Sequence, residues 1–166
     1  MTDPSFIKKE QEDYRFLDLV SLLFVVASIV IAIYYYPQLP DRIPTHFNFR
    51  GEPDDWSGKN MVFLLPGVTA GLYGLLMFVV KYVPNKYWNM PVKITPENAD
   101  EQYGLARNMI RMLTIMLTAC FCYLSYNTIQ VALGKATTLN NLFIVFFLGG
   151  TGLIITVYMI LAVSRK

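Results

Sequence analysis

Charge is scarce in this sequence, and histidine is nearly missing. Of 166 residues, 14 are Lys or Arg, 12 are Asp or Glu, and a single histidine stands at position 46. A net charge of +2, with no basic stripe away from the apolar runs, gives no footing for a nucleic-acid partner. Cysteine is limited to Cys120 and Cys122, both inside an apolar run. Two positions apart on a helix they point about 200° apart, so they cannot pair, and they read as small buried or lipid-facing residues. No nucleophile elbow, zinc-protease helix or phosphate loop occurs, nor any internal repeat or low-complexity tract. Carboxylates are also absent from the interiors of the apolar runs, where Asp18 alone lies at an edge. That pattern argues against a proton-coupled transporter or pump.

What the chain has in quantity is apolar residue, and it is clustered. Hydrophobic residues make up 54% and the mean hydropathy is +0.39. A helix needs about 20 mainly apolar residues to cross a bilayer core. Four segments meet that length, at about 17–36, 61–83, 112–133 and 142–163. The expected fold is therefore an all-α integral membrane protein, a four-transmembrane-helix bundle forming a single membrane domain over 1–166. The first span does not read as a cleaved signal peptide, because its apolar run is too long and acidic residues precede it. Ten Lys and Arg fall on one side of the spans: Lys8, Lys9, Arg15, Lys81, Lys86, Lys93, Arg107, Arg111, Arg165 and Lys166. Four, Arg42, Arg50, Lys59 and Lys135, fall on the other. The richer side is expected to be cytoplasmic, with both termini there, in the plasma membrane. Tyr34, Tyr35, Tyr36 and Trp56 on the outer side, and Tyr14, Tyr82, Tyr87 and Trp88 on the inner, suit the two interfaces.

The connections differ in kind. The outer loop, 37–60, holds four of the nine prolines, Pro37, Pro40, Pro44 and Pro53. Its prolines favour extended or polyproline-like backbone, and Arg50-Gly51-Glu52-Pro53 reads as a turn. Ile43, Phe47, Phe49 and Trp56 predict an ordered Pro-rich cap, packed on the membrane surface or the helix tops. At the N-terminus, Asp3-Pro4 reads as a helix start. The cytoplasmic connection, 84–111, divides at Thr95-Pro96-Glu97, which reads as a cap, a first-turn proline and an acid favoured by the helix dipole. An amphipathic helix bearing Asp100, Glu101, Arg107 and Arg111 follows, running into the third span or bending near Arg111. The last connection, Gly134 to Asn141, is a short outer turn.

Polar chemistry concentrates in the outer loop, at Asp41, Arg42, His46, Asn48, Glu52, Asp54 and Asp55. His46 with carboxylates has the ligand types of a zinc site, and His46 oriented by Asp41 or Asp54 those of a general base. Weighed against both is a structural role, in which these side chains satisfy an irregular backbone near lipid. No metal or other cofactor is expected, and no catalytic residue is assigned. Asn127 and Gln130, near the outer end of the third span, suit an interhelical hydrogen bond or a polar pocket. Gly67, Gly71 and Gly74, and likewise Gly149, Gly150 and Gly152, form small-residue faces. These are expected to pack helices of one chain together or, alternatively, to join a homo-oligomer.

Tyr36-Pro37-Gln38-Leu39-Pro40-Asp41-Arg42-Ile43-Pro44-Thr45-His46-Phe47-Asn48, followed by Gly51, Pro53-Asp54, Trp56 and Lys59, resembles the signature of a bacterial membrane family. It is similar to the domain of unknown function 1648 (DUF1648), found at the start of SdpI-type immunity proteins. The resemblance covers the first span, the loop and the start of the second span; the later spans share only general hydropathy. In that family the best-understood members protect a cell from a membrane-active peptide toxin and report it to a regulator. They carry a further membrane domain after the shared region, which is not expected in this sequence. The resemblance implies no catalytic residue.

Three functions follow as expectations. In the first, an extracytoplasmic binding and protective protein contacts a membrane-active peptide or lipid-like ligand, with membrane lipids around it. Asp41, Pro44, His46, Phe47, Asn48, Gly51, Asp54, Trp56 and Lys59 are its ligand-binding or loop-structuring candidates. The second is an outer-surface enzyme using His46 with a carboxylate. The third is a structural or regulatory subunit of a membrane complex.

Overall fold

The apolar runs fold as four helices in the computed structural model, which describes residues 4–140 and 142–165, with side chains from residue 14 onward. They are α1 (Pro4–Tyr35), α2 (Leu64–Tyr82), α3 (Ala99–Ala132) and α4 (Leu142–Ser164). All four are long and apolar enough to cross a membrane, and the chain is a multi-pass membrane protein. Asp3, half of the expected helix start, lies outside the described residues; Pro4 opens α1, where a missing N–H costs nothing.

Helix ends follow local chemistry. Pro37 cannot continue the α1 hydrogen-bond ladder, and the chain passes through a 3-10 turn at Tyr36–Gln38. Val83, placed before Pro84, is pushed to extended backbone and stops α2. At the end of α3, Gly134 adopts a left-handed φ of 69°. Its N–H donates to the Val131 carbonyl and that of Lys135 to the Gln130 carbonyl, a Schellman closure.

The start of α3 differs from expectation by three residues. Asn98 Oδ1 accepts the Thr95 N–H at 2.9 Å and its amide donates to the Lys93 carbonyl at 3.1 Å, so residues 95–98 form a turn. The helix proper begins at Ala99. The Thr95 hydroxyl, and then the backbone N–H of Glu97 itself, hold the Glu97 carboxyl below its ordinary range. From Ala99 the helix runs unbroken for 34 residues, continuing through Arg111.

The segment between α1 and α2 is not an irregular loop. Residues Arg42–Phe47 (β1) and Pro53–Gly58 (β2) pair antiparallel, from Arg42 opposite Gly58 to Phe47 opposite Pro53, with an irregularity around His46. A 3-10 turn at Lys59–Phe63 then leads into α2. Prolines do not prevent the pairing, because a two-stranded ribbon has only edges and Pro is tolerated there.

α1, α2 and α3 pack on one another, whereas α4 packs chiefly on α3. Their contact seams are small and often hydroxylic. On α1 the buried residues are Ser21, Val25, Ser28 and Ala32; on α3 they include Arg111, Thr114, Thr118, Cys122, Ser125 and Ile129. Small side chains let backbones approach, which is how helices associate where lipid competes with apolar contact. The hydroxyls of Ser21, Ser28, Thr69, Thr114 and Thr118 donate to carbonyls three or four residues back on their own helices.

The expected glycine faces do not serve this packing. A Cβ at Gly67, Gly71, Gly74, Gly149 or Gly152 would meet nothing within 4 Å. Only Gly150 is tight, against the flexible end of Met116 on α3. On α2, Thr69, Met77 and Val80 take the inward face, and Gly67, Gly71 and Gly74 fall on the other. The Asn127 amide donates to the Tyr123 carbonyl on its own helix, and among the described residues no interhelical bond from it is seen.

Candidate functional site

The hairpin is built by its own side chains. Asn48 Oδ1 accepts the N–H groups of Arg50 and Glu52 at 2.8 and 3.1 Å, while Asn48 Nδ2 donates to Glu52 Oε2 at 3.0 Å. Gly51, with φ of 78°, occupies the left-handed position that a Cβ disfavours. Its carbonyl accepts the Leu139 N–H at 2.7 Å, which ties the α3–α4 connection to the hairpin turn. At the base, the Lys59 N–H donates to the Asp41 carbonyl, and Lys59 Nζ lies 3.7 Å from Asp41 Oδ1. The same ammonium lies 5.5 Å from the Tyr36 ring, and the Tyr36 hydroxyl donates to Asn60. Arg42 donates to the Trp56 carbonyl at 2.6 Å.

Apolar burial seats this hairpin on the bundle. Ile43 joins Ala32, Leu39, Val62 and Ile129 in a buried cluster, and Pro44 is fully buried beside it. Phe47 is half-buried, but Trp56 is exposed and Phe49 at the turn fully so. Of these three aromatics, Phe47 is the one partly buried against the rest of the protein.

His46 and Asp54 face each other across the strands, with Nδ1 2.6 Å from Oδ1. Both are open to solvent, with side chains 68% and 43% exposed. Asp54 therefore fixes the imidazole, while Asp41 is committed to Lys59. Such a pair can orient a ring nitrogen for proton transfer or for a hydrogen bond to a ligand. Among the described residues, no three His, Cys, Asp or Glu side chains come together in a way that could hold a metal ion.

Beneath the hairpin lies a cavity of about 260 Å3, between β1, the start of α2 and the adjoining end of α3. Its walls include Pro44, Phe47, Leu65 and Leu124; His46 and Ser125 supply polar atoms. The Ser125 hydroxyl is buried and has no hydrogen-bond partner, a costly arrangement for a polar group.

A second polar cluster lies at the opposite end of the bundle. Arg111 Nε donates to Asp18 Oδ1 at 3.0 Å, and Lys81 Nζ stands 3.4 Å from Asp18 Oδ2. Three helices thus meet on one carboxylate. Gln102 of α3, fully buried, donates from Nε2 to the carbonyls of Ala162 and Arg165 at 3.0 and 2.8 Å. Arg165 also pairs with Glu101 at 2.7 Å. None of these contacts was expected from the sequence, where Asp18, Lys81 and Arg111 served only as flanking charges. The available signal is phase: Asp18 precedes Ser21 by three residues, as Arg111 precedes Thr114, so both stand in register with buried stripes.

The fold and site define a small multi-pass membrane protein whose first connection is a hairpin seated on the bundle over a cavity. Over residues 23–70 the chain matches the model of the family described as "Domain of unknown function (DUF1648)". The matched residues span most of α1, the hairpin and the start of α2. The chain is also similar to an uncharacterized protein of Archaeoglobus fulgidus, 23% identical over 153 residues that cover 84% of each chain. No solved structure matches.

Proposed function

We propose that the hairpin end binds an amphipathic, membrane-active ligand at the outer face of the plasma membrane, and so protects the cell that carries the protein. The cavity with its unpartnered Ser125 hydroxyl is the observation that carries this reading. Its volume lies just below the usual range for small-molecule pockets, so it suits one bulky side chain or chain end of a larger ligand. The apolar part enters between Phe47, Leu65 and Leu124, where Ser125 donates to a ligand acceptor. The His46–Asp54 pair, on the rim, meets the polar part. Trp56 and Phe49, both exposed, offer further apolar contact. Asn48, Gly51, Asp41 and Lys59 act on the ligand only through the shape of the hairpin.

Cells lacking the protein should become sensitive to a particular membrane-active peptide or amphiphile, and wild-type protein should restore resistance. Restoration should fail with Ser125→Leu, which fills the cavity and removes the hydroxyl. Unchanged sensitivity across a broad panel of such agents would sink the reading.

A second reading, an enzyme of the outer surface with His46 as its acid–base group, draws on the 2.6 Å contact with Asp54. It requires turnover of a substrate that His46→Ala abolishes while folding is retained. Full activity in that variant removes it.

A further inference from the structure

At the end of the bundle remote from the hairpin, charge is unequally shared. Asp18 of α1 faces Arg111 of α3 and Lys81 of α2, so among the described side chains two cations meet one carboxylate and one positive charge is in excess. The Arg111 side chain is 8% exposed, its guanidinium lies 4.6 Å from the Tyr14 ring, and its Nη1 has no hydrogen-bond partner. Asn108 holds the Tyr14 hydroxyl at 3.3 Å from the same helix face. Lys81, in contrast, is half exposed. The cluster therefore has a buried guanidinium floor and an open ammonium edge, at the level where the apolar spans begin.

We propose that this α1–α2–α3 seam binds a phosphate-bearing anion, which Lys81 and Arg111 hold together, and that an anionic phospholipid headgroup supplies it. Excess positive charge among packed spans is unfavourable and calls for an anion. Guanidinium donors suit phosphate oxygens, and basic pockets between membrane helices recognise anionic headgroups. Asp18 orients both cations and at the same time competes with the ligand for them. The site stands apart from the hairpin cavity and does not depend on what binds there.

The test uses the full chain in mild detergent and in vesicles of phosphatidylcholine, with or without phosphatidylglycerol. Lipid retention is read by native mass spectrometry and Tm by thermal unfolding. Phosphatidylglycerol should be retained in preference to phosphatidylcholine and should raise Tm. Lys81→Gln, at a half-exposed position, should fold normally and retain phosphatidylglycerol about fivefold less well. Asp18→Asn removes the competing carboxylate and should retain it at least as well as wild type, even though an ion pair is lost. Inorganic phosphate is added separately to phosphatidylcholine samples. A phosphate-dependent rise in Tm that Lys81→Gln abolishes, without lipid preference, supports the phosphate site and assigns its source to solution. Equal retention of both lipids with no response to phosphate overturns the proposal, as does unaltered retention in Lys81→Gln.

Discussion

At the hairpin end, polar side chains are exposed and paired with partners close in sequence: His46 with Asp54, Asn48 with Glu52, Asp41 with Lys59. At the opposite end they are buried or half-buried and reach across the chain: Asp18 to Arg111, Gln102 to Ala162 and Arg165, Tyr14 to Asn108. The difference separates two uses of polarity. Exposed local pairs shape a surface and contribute little to stability, because solvent competes for every contact. Buried long-range pairs join helices that otherwise meet through small residues, and breaking one strands a charge or a donor away from water. The first region is built to be met from outside, the second to hold the bundle together.

That contrast predicts its largest effect at Arg111. Arg111→Met leaves the mostly buried Asp18 with Lys81 alone, and should cost about 3 kcal/mol in unfolding measured in mild detergent. Asp18→Asn combined with Arg111→Met should recover part of the loss, since a neutral amide then replaces the carboxylate that has lost its buried partner. A single-variant loss no greater than that of an exposed pair would erase the distinction between the two ends. Next in size is Gln102→Leu. It removes both side-chain donors to the end of α4 and should cost about 1–2 kcal/mol. Hydrogen exchange should rise at residues 161–165 and stay unchanged in α1 and α2, because α4 packs chiefly on α3.

The same contrast decides what could be read in advance. Span positions were legible because hydrocarbon thickness fixes the length of an apolar run. The hairpin's turn was legible because its parts act within a few residues: Asn48 caps its own turn and Gly51 takes the left-handed position. Strand pairing was hidden by the prolines, whose usual cost falls on central strands and not on a two-stranded ribbon. Packing faces were misassigned because glycine is the most visible small residue, whereas the seam uses Ser21, Ser28, Thr114 and Thr118. The Asp18 cluster was missed for a different reason. Asp18 and Arg111 stand 93 residues apart along the chain, and only the phase of two buried stripes links them.

Gly51 offers a test within the exposed region. Gly51→Ala forces a Cβ into the left-handed region and should cost about 1–2 kcal/mol. Because Leu139 donates to the Gly51 carbonyl, its amide should lose exchange protection together with that of Asn48. Loss confined to the hairpin would mean that the α3–α4 connection is held independently of it.

The smallest effect on stability is expected at the hairpin's histidine. His46→Asn should change unfolding by no more than about 0.5 kcal/mol, because the pair it breaks is largely exposed. Asp54→Asn should behave alike for the same reason. If the proposed ligand site is correct, both variants nevertheless lose protection, and ligand binding falls while the hairpin amides keep their exchange rates. A loss of stability comparable to that of Gly51→Ala would assign His46 to the hairpin's framework and leave the motif without a residue reserved for a ligand.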